Sequence, residues 1–172
     1  MIGGFISAAH DIYVETKCQH FRSEFMPATV RNDLVKLTVR DTPWLEAGLW
    51  QSSPARKSWK DYRCAVRSLG NEVYARFGAA NIVIFYVCGK DHFEKSIPAI
   101  YQMTTDSYSV EVVAVGRGNQ MPSDPGLKVR QKNNIHLISP SSQWANVSST
   151  RIRNMIRDQN WTECGDIHPG VK

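Results

Sequence analysis

No stretch of this chain comes near the roughly eighteen uninterrupted apolar residues that a bilayer-spanning helix needs, so no membrane partner is expected. The start lacks a leader too: Met1-Ile2-Gly3-Gly4 carries no basic charge and Asp11 breaks any apolar stretch, which gives a cytoplasmic or nuclear expectation. Cysteine is sparse and unpaired. Cys18, Cys64, Cys88 and Cys164 form no CxxC, and neither Cys18-x-His20 nor Cys88 with His92 has a second pair at ligand spacing, so reduced structural thiols and no metal site are expected. Basic residues interleaved with aromatics are missing as well, which leaves nucleic acid unindicated. Internal repeats and low-complexity tracts are absent.

What is present fits one domain over residues 1–172, with 42% hydrophobic residues and a net charge of +5 that favours a phosphate-bearing small molecule. Near-continuous apolar runs at 81–89 and 110–116, each closed by Gly, read as buried strands of a parallel sheet. Residues 134–139 read as a shorter strand, and Met1-Ile2 with Phe5-Ile6 as the end of another. A helix is expected from Met26-Pro27-Ala28 through Val30, Leu34 and Leu37 until Pro43 stops it. A longer one, capped by Ser58, carries a core stripe of Trp59, Tyr62, Val66, Leu69, Val73 and Phe77 up to Gly78. Ser148-Ser149-Thr150 opens a last helix, and 119–133 is an exposed loop. The alternation predicts an α/β fold, a Rossmann-like, mainly parallel sheet with helices on both faces.

Ligands of such sheets bind at the carboxyl ends of the strands, which points to three segments. Ser148, Thr150 and Arg153 form a polyphosphate site in outline, or an ordinary cap with solvated arginines. Gly89 and Asp91 offer backbone access and a carboxylate for a ribose hydroxyl, or Asp91 simply caps a helix. Gly116 and Arg117 face a nucleotide or make a turn. Trp44 and Trp50 share one side if the segment between them is a strand, where one of them can stack on an aromatic ligand.

In that order these segments resemble the eukaryotic nicotinamide/nicotinate mononucleotide adenylyltransferases of the nucleotidyltransferase superfamily. Ile6-Ser7-Ala8-Ala9-His10-Asp11-Ile12-Tyr13 is similar to the family's ISPVxDxY box. Cys88-Gly89-Lys90-Asp91 is similar to CGxD, Val115-Gly116-Arg117 to VGR, Asn134-Ile135-His136-Leu137 to NIHL, and Ser148-Ser149-Thr150-Arg151-Ile152-Arg153 to ISxTxxR. Arg31, Trp44, Trp50 and Trp59 follow the family's spacing.

The resemblance implies transfer of AMP from ATP, with Mg2+, to nicotinamide or nicotinate mononucleotide. Ser148, Thr150 and Arg153 would hold ATP phosphates; Gly89, Asp91, Gly116 and Arg117 would contact the nucleotides. Trp50, Trp44, Ser7, Tyr13 and Lys17 would line the mononucleotide and pyridine site. The family's Lys after the Tyr is Glu15 here, with Lys17 two residues late, and its Pro is Ala8. Its GxFxPxHxxH corner would precede this sequence: Gly4-Phe5 and His10 have the wrong spacing, so His10 reads as a loop substituent and the nucleotidyltransferase fold as incomplete at the N-terminus. Its last helix would begin where the chain stops. An absent strand beside residues 1–5 predicts poor solubility or a homo-oligomer through that edge. The alternative to an enzyme is a catalytically impaired nucleotide-binding remnant of the family.

Overall fold

The computed structural model describes residues 3–20, 22–53, 61–78, 82–104, 109–118, 120–123, 126, 134–139, 152–154 and 157–158. Contacts divide the chain into two compact units, within Met1–Leu69 and Gly70–Asp166. In the first, β1 (Gly4–Ser7) leads to α1 (Asp11–His20), α2 (Ala28–Val39) and β2 (Leu45–Gly48). α3 (Tyr62–Phe77) runs across the division. The second unit continues with β3 (Ile84–Gly89), α4 (Lys90–Thr104), β4 (Val110–Val115) and β5 (Ile135–Ile138).

Every strand pair among the described residues is parallel. β1 pairs with β2 in the register Gly4↔Leu45 to Ser7↔Gly48. β3 pairs with β4 from Ile84↔Val110 to Gly89↔Val115, and β4 with β5 from Val112↔Ile135 to Val115↔Ile138. The chain is therefore an α/β protein whose parallel sheets are flanked by helices, as expected and as a Rossmann-like fold requires.

Parallel strands need a long crossover, and α4 supplies it between β3 and β4. It lays Phe93, Ile100 and Met103 against the β3–β4 sheet, where Val110, Val112 and Ala114 are also buried. Full burial of Phe93 and Ile100 stabilises this unit by about 1.5–3 kcal/mol each.

Three details correct the sequence reading. β3 is buried on one face alone: Phe85 and Val87 are 56% and 63% exposed, so its apolar run is not a strand covered on both sides. Phe77 closes the α3 stripe but is 61% exposed. α3 opens at Tyr62, its cap being Asp61, whose Oδ1 accepts from Cys64 N at 3.1 Å. The expected cap, Ser58, lies outside the described residues. The helix stop is as expected, with Gly78 at φ 79°, a conformation that favours Gly.

Candidate functional site

β3 passes into α4 with no intervening loop, so Gly89 ends the strand and Lys90 starts the helix. Register puts Gly89 beside Val115, hence the Lys90–Asp91 turn beside Gly116 and Arg117. The backbone after β4 then folds tightly: Gly116 N donates to Ile138 O at 2.8 Å, while Arg117 and Gln120 exchange N–H···O bonds of 2.9 and 3.0 Å. Gly118 takes φ 58° at this turn. The outcome is a meeting of Asp91 with Arg117, Nη1 donating to Oδ2 at 3.0 Å, from segments 26 residues apart.

The pair is open to water, with side chains 61% and 51% exposed. Such a pair is worth about 0–1 kcal/mol and separates readily for a ligand. A Cβ built on Gly89 would meet nothing within 4 Å, so the backbone has open space before it. These are the features a phosphate and a ribose hydroxyl need: a forked cation, a carboxylate and an approachable backbone.

Glu94 braces this end of the sheet. Its Oε2 accepts from Lys90 Nζ at 2.8 Å; its Oε1 accepts from Ser123 N at 2.8 Å and Ser123 Oγ at 2.6 Å. Lys90, and then the two Ser123 bonds, pull the Glu94 carboxyl down to about 2. Below the strand end Tyr86 OH lies 3.0 Å from His92 Nε2. Burial lowers the His92 pKa and burial pushes the Cys88 thiol up to about 11. Sequence reasoning missed Glu94 and Ser123, although Lys90 and Glu94 stand at the helical i,i+4 spacing that would have signalled their contact. Arg153 lies in a helical segment, 152–154, and is partly exposed. Ser148 and Thr150 lie outside the described residues.

Within Met1–Leu69, Ser7 and the turn made by His10 and Arg31 lie at the carboxyl end of β1, whereas Trp44 lies at its amino end, beside Gly4. Ser7 ends that strand, and its Oγ is buried without a hydrogen-bond partner among the described residues. An orphaned buried hydroxyl costs about 1–3 kcal/mol, so it marks a place where a partner is missing. His10 lies on the loop before α1, as expected, but is buried at 8% exposure, and its Nδ1 accepts from Ile12 N at 3.2 Å at the start of α1. Arg31 fixes the same turn through Nη1 to Ala9 O (2.7 Å), Nη2 to Asp11 Oδ1 (2.5 Å) and Nε to Met26 O (2.9 Å). Tyr13 and Lys17 sit four residues apart on α1, both exposed, as is Glu15.

The two tryptophans do not share a side. Gly4 points with Leu45 to one face of the sheet, where Trp44 Cζ3 would be 2.9 Å from a Gly4 Cβ. Trp50 lies on the opposite face, edge-on to Phe5 at a centroid distance of 5.0 Å and occupying the space a Gly48 side chain would take. The strand stops at Gly48, so its two-residue period does not reach Trp50, which folds back over the sheet. The buried Ser52 hydroxyl, donating to Asn32 Oδ1 at 2.7 Å, ties that turn to α2.

Among the described residues no three His, Cys, Asp or Glu side chains converge as a metal site. A Mg2+ ion held mainly by nucleotide phosphates needs no such cluster, so the residues present are compatible with one that arrives on ATP. No helix among the described residues is long and apolar enough to cross a membrane. Models of known protein families and curated proteins yield no match to the chain.

Proposed function

We propose that this chain is a nicotinamide/nicotinate mononucleotide adenylyltransferase, moving AMP from ATP to the mononucleotide and releasing pyrophosphate. The observation that carries this reading is the convergence of Gly89–Asp91 with Gly116–Arg117 at the carboxyl ends of adjacent parallel strands. Two of the boxes that resemble the family thus supply one nucleotide-contacting surface. Asp91 receives a ribose hydroxyl, Arg117 turns from Asp91 toward phosphate, and Gly89 admits the ligand to the backbone. Ser148, Thr150 and Arg153 hold the ATP phosphates, while Ser7, Tyr13, Lys17 and Trp50 serve the mononucleotide, with Trp44 on the other sheet face. The Mg2+ that accompanies ATP supplies charge neutralisation at the phosphates. By the resemblance, catalysis consists of aligning the mononucleotide phosphate with the α-phosphorus, without a covalent intermediate.

A second reading, a nucleotide-binding remnant without turnover, is motivated by the spacing of Gly4-Phe5 and His10, which does not match the family's phosphate-gripping corner. Incubation of the purified chain with ATP, Mg2+ and either mononucleotide separates the two. Dinucleotide formation supports the enzyme; ATP binding that Arg117→Ala abolishes, with no dinucleotide, supports the remnant. Absence of both product and ATP binding rejects both readings.

A further inference from the structure

The backbone after β4 is pinned at three points within the Gly70–Asp166 unit. Gly116 N donates to Ile138 O, Arg117 and Gln120 exchange two bonds, and Ser123 donates twice to Glu94, beside a buried Pro122. Glu94 also accepts from Lys90 Nζ, one helical turn earlier on α4. A single carboxylate thus joins the loop that carries Arg117 to the helix turn that carries Asp91. We propose that Glu94 and Ser123 are positioning residues for nucleotide phosphate, holding Arg117 where a phosphate bound beside Asp91 meets its guanidinium, without touching the ligand themselves. The proposal rests on the nucleotide-contacting surface described above and extends it to two residues behind that surface.

Two ion pairs share this end of the sheet, and their surroundings give them different tasks. The Asp91 and Arg117 side chains are 61% and 51% exposed, whereas those of Lys90 and Glu94 are 18% and 26% exposed. Water screens the first pair, so a ligand can take its place. The second pair is shielded and reinforced: Glu94 Oε2 accepts from Lys90 Nζ at 2.8 Å, while Oε1 accepts from Ser123 N at 2.8 Å and Ser123 Oγ at 2.6 Å. Bonds to an ionised acceptor are the stronger kind, so this clamp stays closed while Arg117 leaves Asp91. Both Glu94 oxygens are occupied in holding protein groups, which suits a role behind the site. A forked cation binds phosphate only in register with its oxygens, and a displacement of about 1 Å is enough to lose that geometry. Fixing the loop at Ser123 therefore matters for the phosphate, whereas the ribose contact belongs to Asp91 on α4.

The test compares ATP with adenosine, which keeps the ribose hydroxyls and lacks the phosphates, by ligand-observed saturation-transfer NMR on the full chain. Ser123→Ala should weaken ATP about three- to tenfold and leave adenosine within about twofold, the scale of one charge-assisted hydrogen bond lost from the clamp. Ser123→Thr keeps the hydroxyl and should restore ATP binding; Ser123 is exposed, so both variants should fold. Glu94→Gln gives up the charge that holds both partners and should weaken ATP about tenfold, with the same indifference to adenosine. Unchanged ATP affinity in Ser123→Ala and Glu94→Gln, equal losses for ATP and adenosine, or a Ser123→Thr variant as weak as Ser123→Ala overturns the proposal. A wild-type chain that binds neither ligand, or ATP alone, overturns it together with the surface on which it rests. Dinucleotide formation with ATP affinity unchanged in the variants rejects this inference and leaves the enzyme standing; the expected pattern of affinities with no dinucleotide does the reverse.

Discussion

Gly89 and Gly48 are both glycines at strand ends, yet they do opposite things. Gly89 faces open space, so Gly89→Ala should leave the folded state within about 0.5 kcal/mol of wild type in a urea titration. The same methyl would stand where a ligand approaches the backbone, so ATP affinity should fall at least about tenfold, a loss of about 1.4 kcal/mol in a calorimetric titration. Unchanged ATP binding would reduce Gly89 to a simple turn residue. Gly48→Ala is the contrast: its Cβ would lie 2.7 Å from Trp50 Cε3, and the ring must move. A destabilisation of about 1–3 kcal/mol is expected, with a shifted tryptophan emission, and a silent substitution would contradict the packing. Cys88, its thiol pushed up to about 11 by burial, should react with an alkylating reagent at pH 8 far more slowly than a free thiol. Gly89, Asp91 and Arg117 were legible as candidates because strand-closing glycines and charges leave a trace in sequence. Ser123 on Glu94 was not, since a contact between residues 29 apart is set by packing rather than by any local pattern.

At the level of elements, β3 and β4 show what an apolar run leaves undecided. Both read as buried, but register and α4 cover one face of β3 and leave Phe85 and Val87 outward. Val87→Lys should therefore be tolerated within about 0.5 kcal/mol and raise solubility, measured by thermal melting and by the concentration at which the chain precipitates. A loss of several kcal/mol would mean that this face is covered. α1 went unread and α4 was read only as a helix that Asp91 caps, for separate reasons. α1 buries none of its residues, so it has no apolar period to detect, and it is held instead at its first turn by His10 and Arg31. α4 contains Pro98, which removes a donor and ordinarily signals a break, and tertiary burial of Phe93, Ile100 and Met103 outweighs that cost.

For the whole molecule, acid is the informative variable. The folded pKa of Glu94 is depressed from 4.5 to about 2, so its stabilisation is complete above about 4.5 and is lost as pH falls toward 2. His92 acts earlier. Burial lowers its pKa from 6.5, so below that value the unfolded chain takes up a proton that the folded chain resists, and stability declines from there downward. Urea midpoints between pH 8 and 3 should therefore fall in two stages. Glu94→Gln should remove part of the lower stage alone and His92→Gln part of the upper, and a profile that neither variant alters would refute both assignments.

By itself the sequence determined the class of the protein. Near-continuous β-branched runs closed by glycine demand paired, parallel strands, and the helical stretches between them supply the crossovers, because period and chain length are local properties. Tertiary structure decided everything that depends on which residues meet. It alone brought Asp91 to Arg117, set Trp44 and Trp50 on opposite faces, buried His10 as a turn acceptor and stranded the Ser7 hydroxyl beside an aromatic corner. Register and packing act over separations of tens of residues, and a one-residue change of register would exchange the two faces of either sheet.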